Sequence, residues 1–485
     1  ADAEVRRLAD GVFAAGALAM APEKALKALG VAPQISWERK ELPSGVRKVN
    51  WIHRREGDVE WFFVALPARE PVEMDLSFRV SGKAPELWDA ESGTMSPAGV
   101  WREENGRTVV RVPFDVCGSK FVVFRPSAAA THVVSAAVRA RPFPATCAKD
   151  AGALVFLKAT YGTADACRDV TGRLNRIAAD GFIDEAVGNE LAGGDPAPMR
   201  VKTLKATYAY RGVTNSVELA ERTRLTVPSG MRGGVAVLPL EFAAGADGRM
   251  RAWAWQPLSA TLVDSAGATR TVSADVPAPV AVTGPWEVSF PNGFLPNALA
   301  KGPDEKVGFE RLVAWNEHPD EGVRYFSGRA TYRKTVRLNA EMSRAVARGG
   351  RIVLELGNVR ELAQVTVNGK PFDALWRPPF RLDITSSLDP RSPSLGLEVT
   401  VANLWANRLI GDDRQFAPDC EWRGSVRNGV KEIGVREIPR WVKDGKPSPT
   451  GRHTFTTWKH WDKDDELQPS GLIGPVLLYT VVEAK

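Results

Sequence analysis

The chain has 485 residues, of which 44% are hydrophobic and 25% are charged, with 43 Gly and 34 Pro. This length predicts about three or four domains, and the composition is typical of a globular protein with many strands and tight turns. The net charge of +6 is small and its charges are interleaved, which argues against nucleic acid as a partner. No apolar run reaches about 18 residues, which argues against a membrane span.

The N-terminal segment, residues 1–45, reads as the tail of an α/β domain. Its pattern predicts a helix over 3–9, a short strand over 11–18 and a helix over 22–29 with Pro22 in the first turn. Acids and arginines interrupt the alanines, so the start does not match a signal peptide. We expect the segment to be interior to a longer protein, with the rest of the α/β domain upstream of residue 1.

Residues 46–127 are predicted to form a β-sandwich. Short apolar runs recur between Gly, Pro and Asn-Gly turns, at spacings typical of a small antiparallel sandwich. In the run VEMDLSFRV, over 72–80, apolar and polar residues alternate strictly, which indicates a strand with one buried face.

An inserted, mixed α+β domain of unknown role is predicted over 128–282, with strands over 153–162 and 201–212 and a helix over 164–180. Two of the four cysteines, Cys147 and Cys167, fall in it. They are either a disulfide or two buried thiols, and both alternatives stay open. No CxxC pair occurs, which argues against a zinc site, and no residue is assigned as a metal ligand.

Residues 283–485 are predicted to form a C-terminal jelly roll of about eight strands. Strands are expected over 352–359, 363–372, 380–385 and 395–405, with Asn368-Gly369 as a hairpin turn. No long helix interrupts this alternation. The fold class predicted for the whole chain is therefore mainly β and multidomain, with a short α/β remnant at the N-terminus.

The stretch TFTTWKHWDKDDELQPSGLIGPV, over 454–476, gathers tryptophans, a histidine and acids. A pyranose offers an apolar C–H face to an aromatic ring and hydroxyls to acids and amides. The candidate carbohydrate-binding residues here are Trp458, His460, Trp461, Asp462 and Asp464. The alternative is that one tryptophan belongs to the core and the acids are solvated turn residues.

A second candidate cluster follows the strand over 395–405 and contributes Asn403 and Arg408 as further carbohydrate-binding candidates. The alternative is structural: Arg408 and Asp412 would form a buried ion pair that pins a loop. Trp376 lies just before the extended link Pro378-Pro379 and is expected to pack between the sheets.

Several segments in one order resemble a known family. They are GPWEVSFP (284–291), WNEHPDEGVRYFSGRATYRKTV (315–336), LGNVRELAQVTVNGKPFDALWRPPFRLDIT (356–385), VTVANLWANRLIGDD (399–413) and TFTTWKHWDKDDELQPSGLIGPVLL (454–478). They resemble the C-terminal sugar-binding-type jelly roll, galactose-binding-like, of bacterial glycoside hydrolases of family 106, the α-L-rhamnosidases, and more distantly that of family 2. The runs over 50–67, 85–99 and 121–126 resemble the β-sandwich that follows the catalytic barrel in family 106.

The resemblance implies a parent enzyme that removes terminal α-L-rhamnose from glycans by inverting hydrolysis with an acid and a base. The resemblance implies that residues 1–45 are the tail of a barrel-like catalytic domain. The catalytic acids and the calcium site of the family belong to that barrel, so no catalytic residue is assigned to this chain. The chain would supply accessory β domains, with a glycan and its own upstream barrel as partners. The resemblance also implies a periplasmic or secreted protein.

Calcium is the one cofactor that the resemblance suggests, since jelly rolls of this kind hold it between loops. Asp412-Asp413 or the acids over 462–465 would supply its oxygen ligands. The alternative to an enzyme is a non-catalytic carbohydrate-binding protein that uses the C-terminal jelly roll.

Overall fold

The structure, a computed structural model, describes residues 2–14, 22–38, 42, 46, 48–68, 71–126, 131–141, 154–178, 183–210, 213–221, 223–227, 238–244, 249–290, 306–427 and 430–485. The chain is mainly β and multidomain, which confirms the predicted fold class. It divides into two compact units. Unit 1 is Ala1–Ala137, Phe242–Arg251 and Ala260–Thr271; unit 2 is Val138–Glu241, Ala252–Ser259 and Val272–Lys485. The four predicted domains stay a prediction.

Unit 1 begins with two helices, α1 (Asp2–Ala14) and α2 (Pro22–Ala28). The strand predicted over 11–18 is wrong for residues 11–14, because α1 runs through them, and the rest lies outside the described residues. In the sequence, Val5, Leu8 and Val12 recur at helical spacing, a pattern that favours a helix over a strand.

The strands of unit 1 between residues 35 and 125 form two sheets, with the orders β1-β4-β8-β7 and β2-β3-β9-β5-β6. Their bounds are β1 (Ile35–Ser36), β2 (Asn50–Glu56), β3 (Val59–Ala65), β4 (Val72–Phe78), β5 (Ala84–Trp88), β6 (Met95–Pro97), β7 (Trp101–Glu104), β8 (Arg107–Phe114) and β9 (Ser119–Arg125). Both sheets contribute to one apolar core, in which Phe62, Phe78 and Phe124 meet edge to face or tilted. The alternation along β4 is confirmed, since Met74, Leu76 and Phe78 are buried.

The middle of the chain contains β10 (Val133–Ala140), β11 (Val155–Gly162), β12 (Cys167–Asp169), α3 (Thr171–Ile177), β13 (Ile183–Ala186), a 3-10 turn (Asn189–Ala192), β14 (Thr203–Tyr210), β15 (Val213–Ala220), β16 (Arg224–Val227), β17 (Leu240–Ala244), β18 (Met250–Ala254), β19 (Leu258–Asp264) and β20 (Thr269–Ala274). Strands β10, β17, β18, β19 and β20 each contain residues of both units.

The helix predicted over 164–180 is wrong in its first half. Residues 167–169 form β12, which pairs with β11, and the helix α3 starts only at Thr171. The Asp169 carboxylate accepts a hydrogen bond from the Thr171 amide at 2.8 Å, a turn that ends the strand. Cys147 lies outside the described residues, so the structure does not test the disulfide. The alternative of buried thiols is wrong for Cys167, which is exposed.

The C-terminal part of unit 2 contains β21 (Val280–Ala281), β22 (Trp286–Ser289), β23 (Lys306–Phe309), a 3-10 turn (Trp315–Glu317), α4 (Glu321–Arg324), β24 (Arg329–Arg337), α5 (Ala340–Ala347), β25 (Arg351–Glu355), β26 (Asn358–Arg360), β27 (Leu362–Val367), β28 (Lys370–Pro371), β29 (Arg381–Asp383), a 3-10 turn (Thr385–Ser387), β30 (Ser394–Ala402), α6 (Ala406–Gln415), β31 (Trp422–Arg427), β32 (Val430–Val435), α7 (Arg440–Lys443), β33 (Gly471–Gly474) and β34 (Leu477–Glu483).

Two sheets of this part enclose one large core. One has the strand order β23-β22-β24-β30-β27-β28, and the other includes β18, β34, β25 and β29 in that order. Trp286 and Tyr332 from the first sheet and Leu354 and Leu478 from the second are buried in the same cluster. The hairpin turn between β27 and β28 is as predicted, with Asn368 at φ 50° and Gly369 at φ 79°.

Two predictions for this part are wrong. The helix α6 replaces the loop expected after β30, and Trp376 is 59% exposed instead of packing between the sheets. No helix in the described part of the chain is both long and apolar enough to span a membrane.

Candidate functional site

The candidate site is built on the helix α6, which follows β30 directly. Seven consecutive residues of α6, from Ala406 to Asp412, are buried. Ala406, Leu409 and Ile410 are its apolar contacts with the protein interior. The polar residues of α6 are therefore held inside the protein or at its edge, and each must find a partner there.

An ion pair lies inside α6, one helical turn apart. Arg408 Nη2 and Asp412 Oδ1 are 2.9 Å apart, and both side chains have no exposed surface. The Arg408 guanidinium also donates to Gln415 Oε1 at 2.9 Å and lies over the Tyr325 ring. Burial lowers the pKa of Arg408, and the charge and hydrogen bond of Asp412 oppose that shift. The predicted buried ion pair is present, and both of its residues lie in the helix α6 rather than in a loop.

The other carboxylate oxygen of Asp412 organises the chain that follows residue 452. Asp412 Oδ2 accepts from the amides of His453 and Thr454, at 2.9 and 2.8 Å, and from the Thr454 hydroxyl at 2.6 Å. The three hydrogen bonds satisfy Asp412 Oδ2, whereas Oδ1 faces the Arg408 guanidinium as an ion pair without a hydrogen bond of good geometry. Asp412 is thus a joint between α6 and the C-terminal loop.

Two further residues of α6 hold the middle of that loop. Asp413 forms ion pairs with Arg452 at 3.2 Å and with Lys459 at 3.5 Å, and accepts from the Lys463 amide at 3.1 Å. Arg414 donates to the carbonyl oxygens of Lys463 and Asp465, at 2.7 and 2.8 Å. Backbone groups of the loop therefore bond to side chains of α6.

Asn407 fixes the end of the loop, just before β33. Its amide donates to the Gln468 carbonyl at 2.7 Å and to Ser470 Oγ at 3.1 Å, and it accepts from the Gln468 amide at 2.7 Å. Residues 452–470 are consequently bonded to α6 at their start, middle and end. We call them the clamped loop.

The clamped loop carries the five residues that the sequence predicts as sugar contacts. Trp458 is 46% exposed and bridges to Gly434 of β32, while His460 and Asp464 are exposed. Trp461 and Asp462 are half-buried. A hydrogen bond from Lys459, at 2.8 Å, lowers the pKa of Asp462. The structure thus brings all five together on one surface segment, and their contact with sugar stays a prediction.

The two other predicted contacts are used within the protein. The Asn403 amide accepts from Gly328 N at 3.0 Å and donates to the Phe326 carbonyl at 2.9 Å, which ties the end of β30 to the start of β24. Arg408 is buried, as described. Sequence reasoning missed the residues that build the clamp, among them Asp413, Arg414 and Gln468, because these contacts join segments about 50 residues apart.

The acids near α6 do not fit a calcium ion. Asp412 and Asp413 face arginine, lysine and backbone amides, and Asp465 Oδ2 accepts from the Asp462 amide at 2.6 Å. Calcium needs six to eight oxygen ligands that can turn toward it. Within the described ranges no group of three or more His, Cys, Asp or Glu residues is arranged for a metal ion.

Comparison with known proteins identifies a matching family and a similar curated protein. The family model of the α-L-rhamnosidases of glycoside hydrolase family 106 matches residues 2–102. A protein of Formosa agariphila named "Putative beta-glucuronidase" is 27% identical over 569 aligned residues, which cover 99% of this chain and 47% of that protein. The chain thus spans about half the length of this curated relative.

A solved structure shows the fold. The rhamnosidase from Novosphingobium sp. PP1Y is 23% identical and superposes with a TM-score of 0.50, over 94% of this chain and 26% of its own. The relatives are glycoside hydrolases by name, as the sequence predicts. The resemblance of this chain to the α-L-rhamnosidases of glycoside hydrolase family 106 is therefore confirmed.

Proposed function

We propose that this chain is the accessory, β-rich portion of a glycoside hydrolase that removes terminal α-L-rhamnose from glycans. The observation that carries the proposal is the match of residues 2–102 to the α-L-rhamnosidase family. The fold shared with a rhamnosidase over 94% of the chain supports it. The proposal also places the protein in the periplasm or outside the cell, which fractionation of the producing cells would test.

The chemistry of the proposed reaction needs two carboxylates. In an inverting hydrolase an acid protonates the leaving oxygen and a base activates water, with the two carboxyl groups about 6.5–9.5 Å apart. The acids around α6 do not offer such a pair, because Asp412 and Asp413 are committed to basic partners and backbone amides. Under the proposal an upstream barrel supplies the acid and the base.

The clamped loop has a defined role in this scheme. Its exposed Trp458 would stack on the apolar face of a sugar, and the neighbouring His460 and Asp464 would bond hydroxyls. Because α6 already fixes the backbone, binding would require little ordering of the loop. The loop would therefore shape the substrate entrance of the parent enzyme.

Hydrolysis of 4-nitrophenyl α-L-rhamnoside tests the assignment. We expect turnover by the natural protein that includes the upstream barrel and no turnover by the 485-residue chain. 4-Nitrophenyl β-D-glucuronide serves as the competing substrate, since one relative is named for that activity. Preference for the glucuronide by the longer protein would contradict the rhamnose assignment, and turnover by the chain alone would contradict its accessory role.

A non-catalytic carbohydrate-binding protein is the second candidate function. The observation that favours it is an exposed tryptophan on a loop fixed by charged partners. It would gain support if a glycan bound saturably, Trp458→Ala removed the binding and the longer protein hydrolysed no glycoside. Trp51→Ala, at an exposed tryptophan of β2 in unit 1, is the control.

A further inference from the structure

A row of four residues crosses the sheet β24-β30-β27 near one end. Arg329 pairs with Ala402, and Ala402 pairs with Leu362. The next residue of β27, Ala363, bridges to Leu375 in antiparallel register, which places Trp376 across from Leu362. The row therefore reads Arg329, Ala402, Leu362, Trp376 from one strand to the next.

This row faces away from the core. The adjacent residues Ala330, Val401 and Ala363 are at most 1% exposed, and successive residues of a strand point to opposite faces. Leu362 is 45% exposed and Trp376 is 59% exposed, as this alternation requires. In the sequence, Leu362 is out of phase with the buried Ala363 and Val365, a signal that could have revealed this surface.

The row has the form of a shallow trough. Neighbouring strands lie about 4.8 Å apart, so the first and last residues are separated by three spacings, about 14 Å. Arg329 and Trp376 stand at the two ends, and the short Ala402 and the exposed Leu362 lie between them. A single pyranose ring fits on such a floor, with one end of the trough aromatic and the other cationic.

The next outward-facing row is polar. The Thr331 and Thr400 hydroxyls lie 2.9 Å apart on paired strands, and Gln364 is exposed beside them. Hydroxyl and amide groups donate and accept hydrogen bonds, as sugar hydroxyls require. The apolar row and the polar row thus present the two kinds of surface that a pyranose itself has.

The trough is positively charged. Arg329 is exposed and has no hydrogen-bond or ion-pair partner among the residues that the structure describes, and Arg377 lies beside the Trp376 ring. Two carboxylates farther along this face are paired, Glu398 with Arg333 at 3.1 Å and Glu287 with Lys306 at 2.9 Å. A guanidinium without a carboxylate partner favours an anionic ligand.

We propose that this trough binds an acidic sugar, a pyranose that bears a carboxylate or a sulfate. Its C–H face stacks on Trp376 and its acidic group pairs with Arg329. The inference rests on the proposed function in taking a glycan as the ligand. It does not depend on hydrolysis, and none of the residues of the assigned binding surface belongs to the clamped loop.

Calorimetric titration of the 485-residue chain tests the inference at low salt. The probes are a β-linked glucuronic acid tetrasaccharide, a sulfated galactan tetrasaccharide and cellotetraose as the neutral ligand. We expect saturable binding of at least one acidic probe, weakened by added salt, and at least about tenfold weaker binding of cellotetraose. Whichever acidic probe binds identifies carboxylate or sulfate as the anionic group.

Two variants and two matched controls locate the binding. Trp376→Ala and Arg329→Gln should each weaken acidic-probe binding by about tenfold. Trp51→Ala, at an exposed tryptophan of unit 1, and Arg391→Gln, at another exposed arginine, should change it less than about twofold. Circular dichroism confirms that each variant is folded.

Three results would overturn the inference: no binding of either acidic probe, equal affinity for the neutral probe, or loss of binding in Trp458→Ala with Trp376→Ala unchanged. The last would move the site to the clamped loop and leave the proposed function standing. Failure of the longer protein to hydrolyse the rhamnoside would contradict the proposed function and would leave the inference about the trough unaffected.

Discussion

Asp412 shows how one carboxylate can connect distant parts of the chain. One of its oxygens neutralises the buried Arg408, and the other accepts three hydrogen bonds from residues 453 and 454. Arg408 Nε and Nη1 have no hydrogen-bond partner within the described residues, so Asp412 is the only full charge that compensates this guanidinium at close range. A buried charge that loses its partner is costly.

The variant Asp412→Ala should lower the free energy of unfolding by about 3–5 kcal/mol, because it leaves Arg408 charged and uncompensated inside the protein. Denaturant unfolding followed by tryptophan fluorescence measures the change. Asp464→Ala, at an exposed acid of the clamped loop, is the matched control and should change stability by less than about 0.5 kcal/mol. A cost for Asp412→Ala as small as the control's would contradict this account.

At the scale of elements, short turns are stabilised by single acids. Asp89 follows β5, and its carboxylate accepts from the amides of Glu91 and Ser92 at 2.9 and 2.8 Å and pairs with Lys120 of β9. Burial alone would raise the pKa of Asp89, but the hydrogen bonds and the charge of Lys120 outweigh it and lower this pKa to about 2. Asp89 therefore joins the β5–β6 turn to the neighbouring strand.

This lowered pKa predicts an acid-dependent stability. The ionised Asp89 stabilises the fold above the unfolded-state pKa of about 4, and this contribution, on the order of 2 kcal/mol, is lost as the pH falls toward 2. Unfolding experiments between pH 6 and pH 2.5 measure it. Asp89→Asn should be less stable at pH 6 and should lose less stability on acidification; the same pH slope in both proteins would argue against the assignment.

At the scale of the whole molecule, the C-terminal sheets depend on residues far upstream. Strand β18 pairs with β34 and brings Trp255 against Tyr479, Val353 and Val481, which are at most 3% exposed. The Arg381 guanidinium lies over Trp255, and the Trp255 indole donates to Glu241 at 2.9 Å. A domain that began at residue 283, as the sequence suggests, would lack β18 and Trp255, which cover Tyr479, Val353 and Val481.

A fragment of residues 283–485 should therefore expose an apolar patch around Tyr479 and bind the dye ANS strongly. A fragment of residues 249–485 retains β18 and should bind the dye several-fold less, because Trp253 and Trp255 cover the patch again. Fluorescence titration of both fragments, compared with the full chain, measures the difference. Equal dye binding by the two fragments would show that β18 is not part of the C-terminal fold.

The sequence by itself determined what depends on local pattern. Alternation along 72–80 predicted the buried face of β4, the Asn368-Gly369 pair predicted a hairpin turn, and the spacing of Arg408 and Asp412 predicted an ion pair. The order of segments along the chain predicted the family resemblance. Each of these signals lies within a few residues or is preserved as linear order.

The tertiary structure alone decided how distant segments meet. The buried polar groups of the helix over 406–415 are satisfied by partners 40 to 60 residues later in the chain. No local sequence pattern indicates these partners. Trp376 faces outward because its register is set by the Ala363–Leu375 bridge, although its apolar character alone predicts burial. Register and burial depend on long-range pairing, and a one-residue change in pairing exchanges the two faces of a strand.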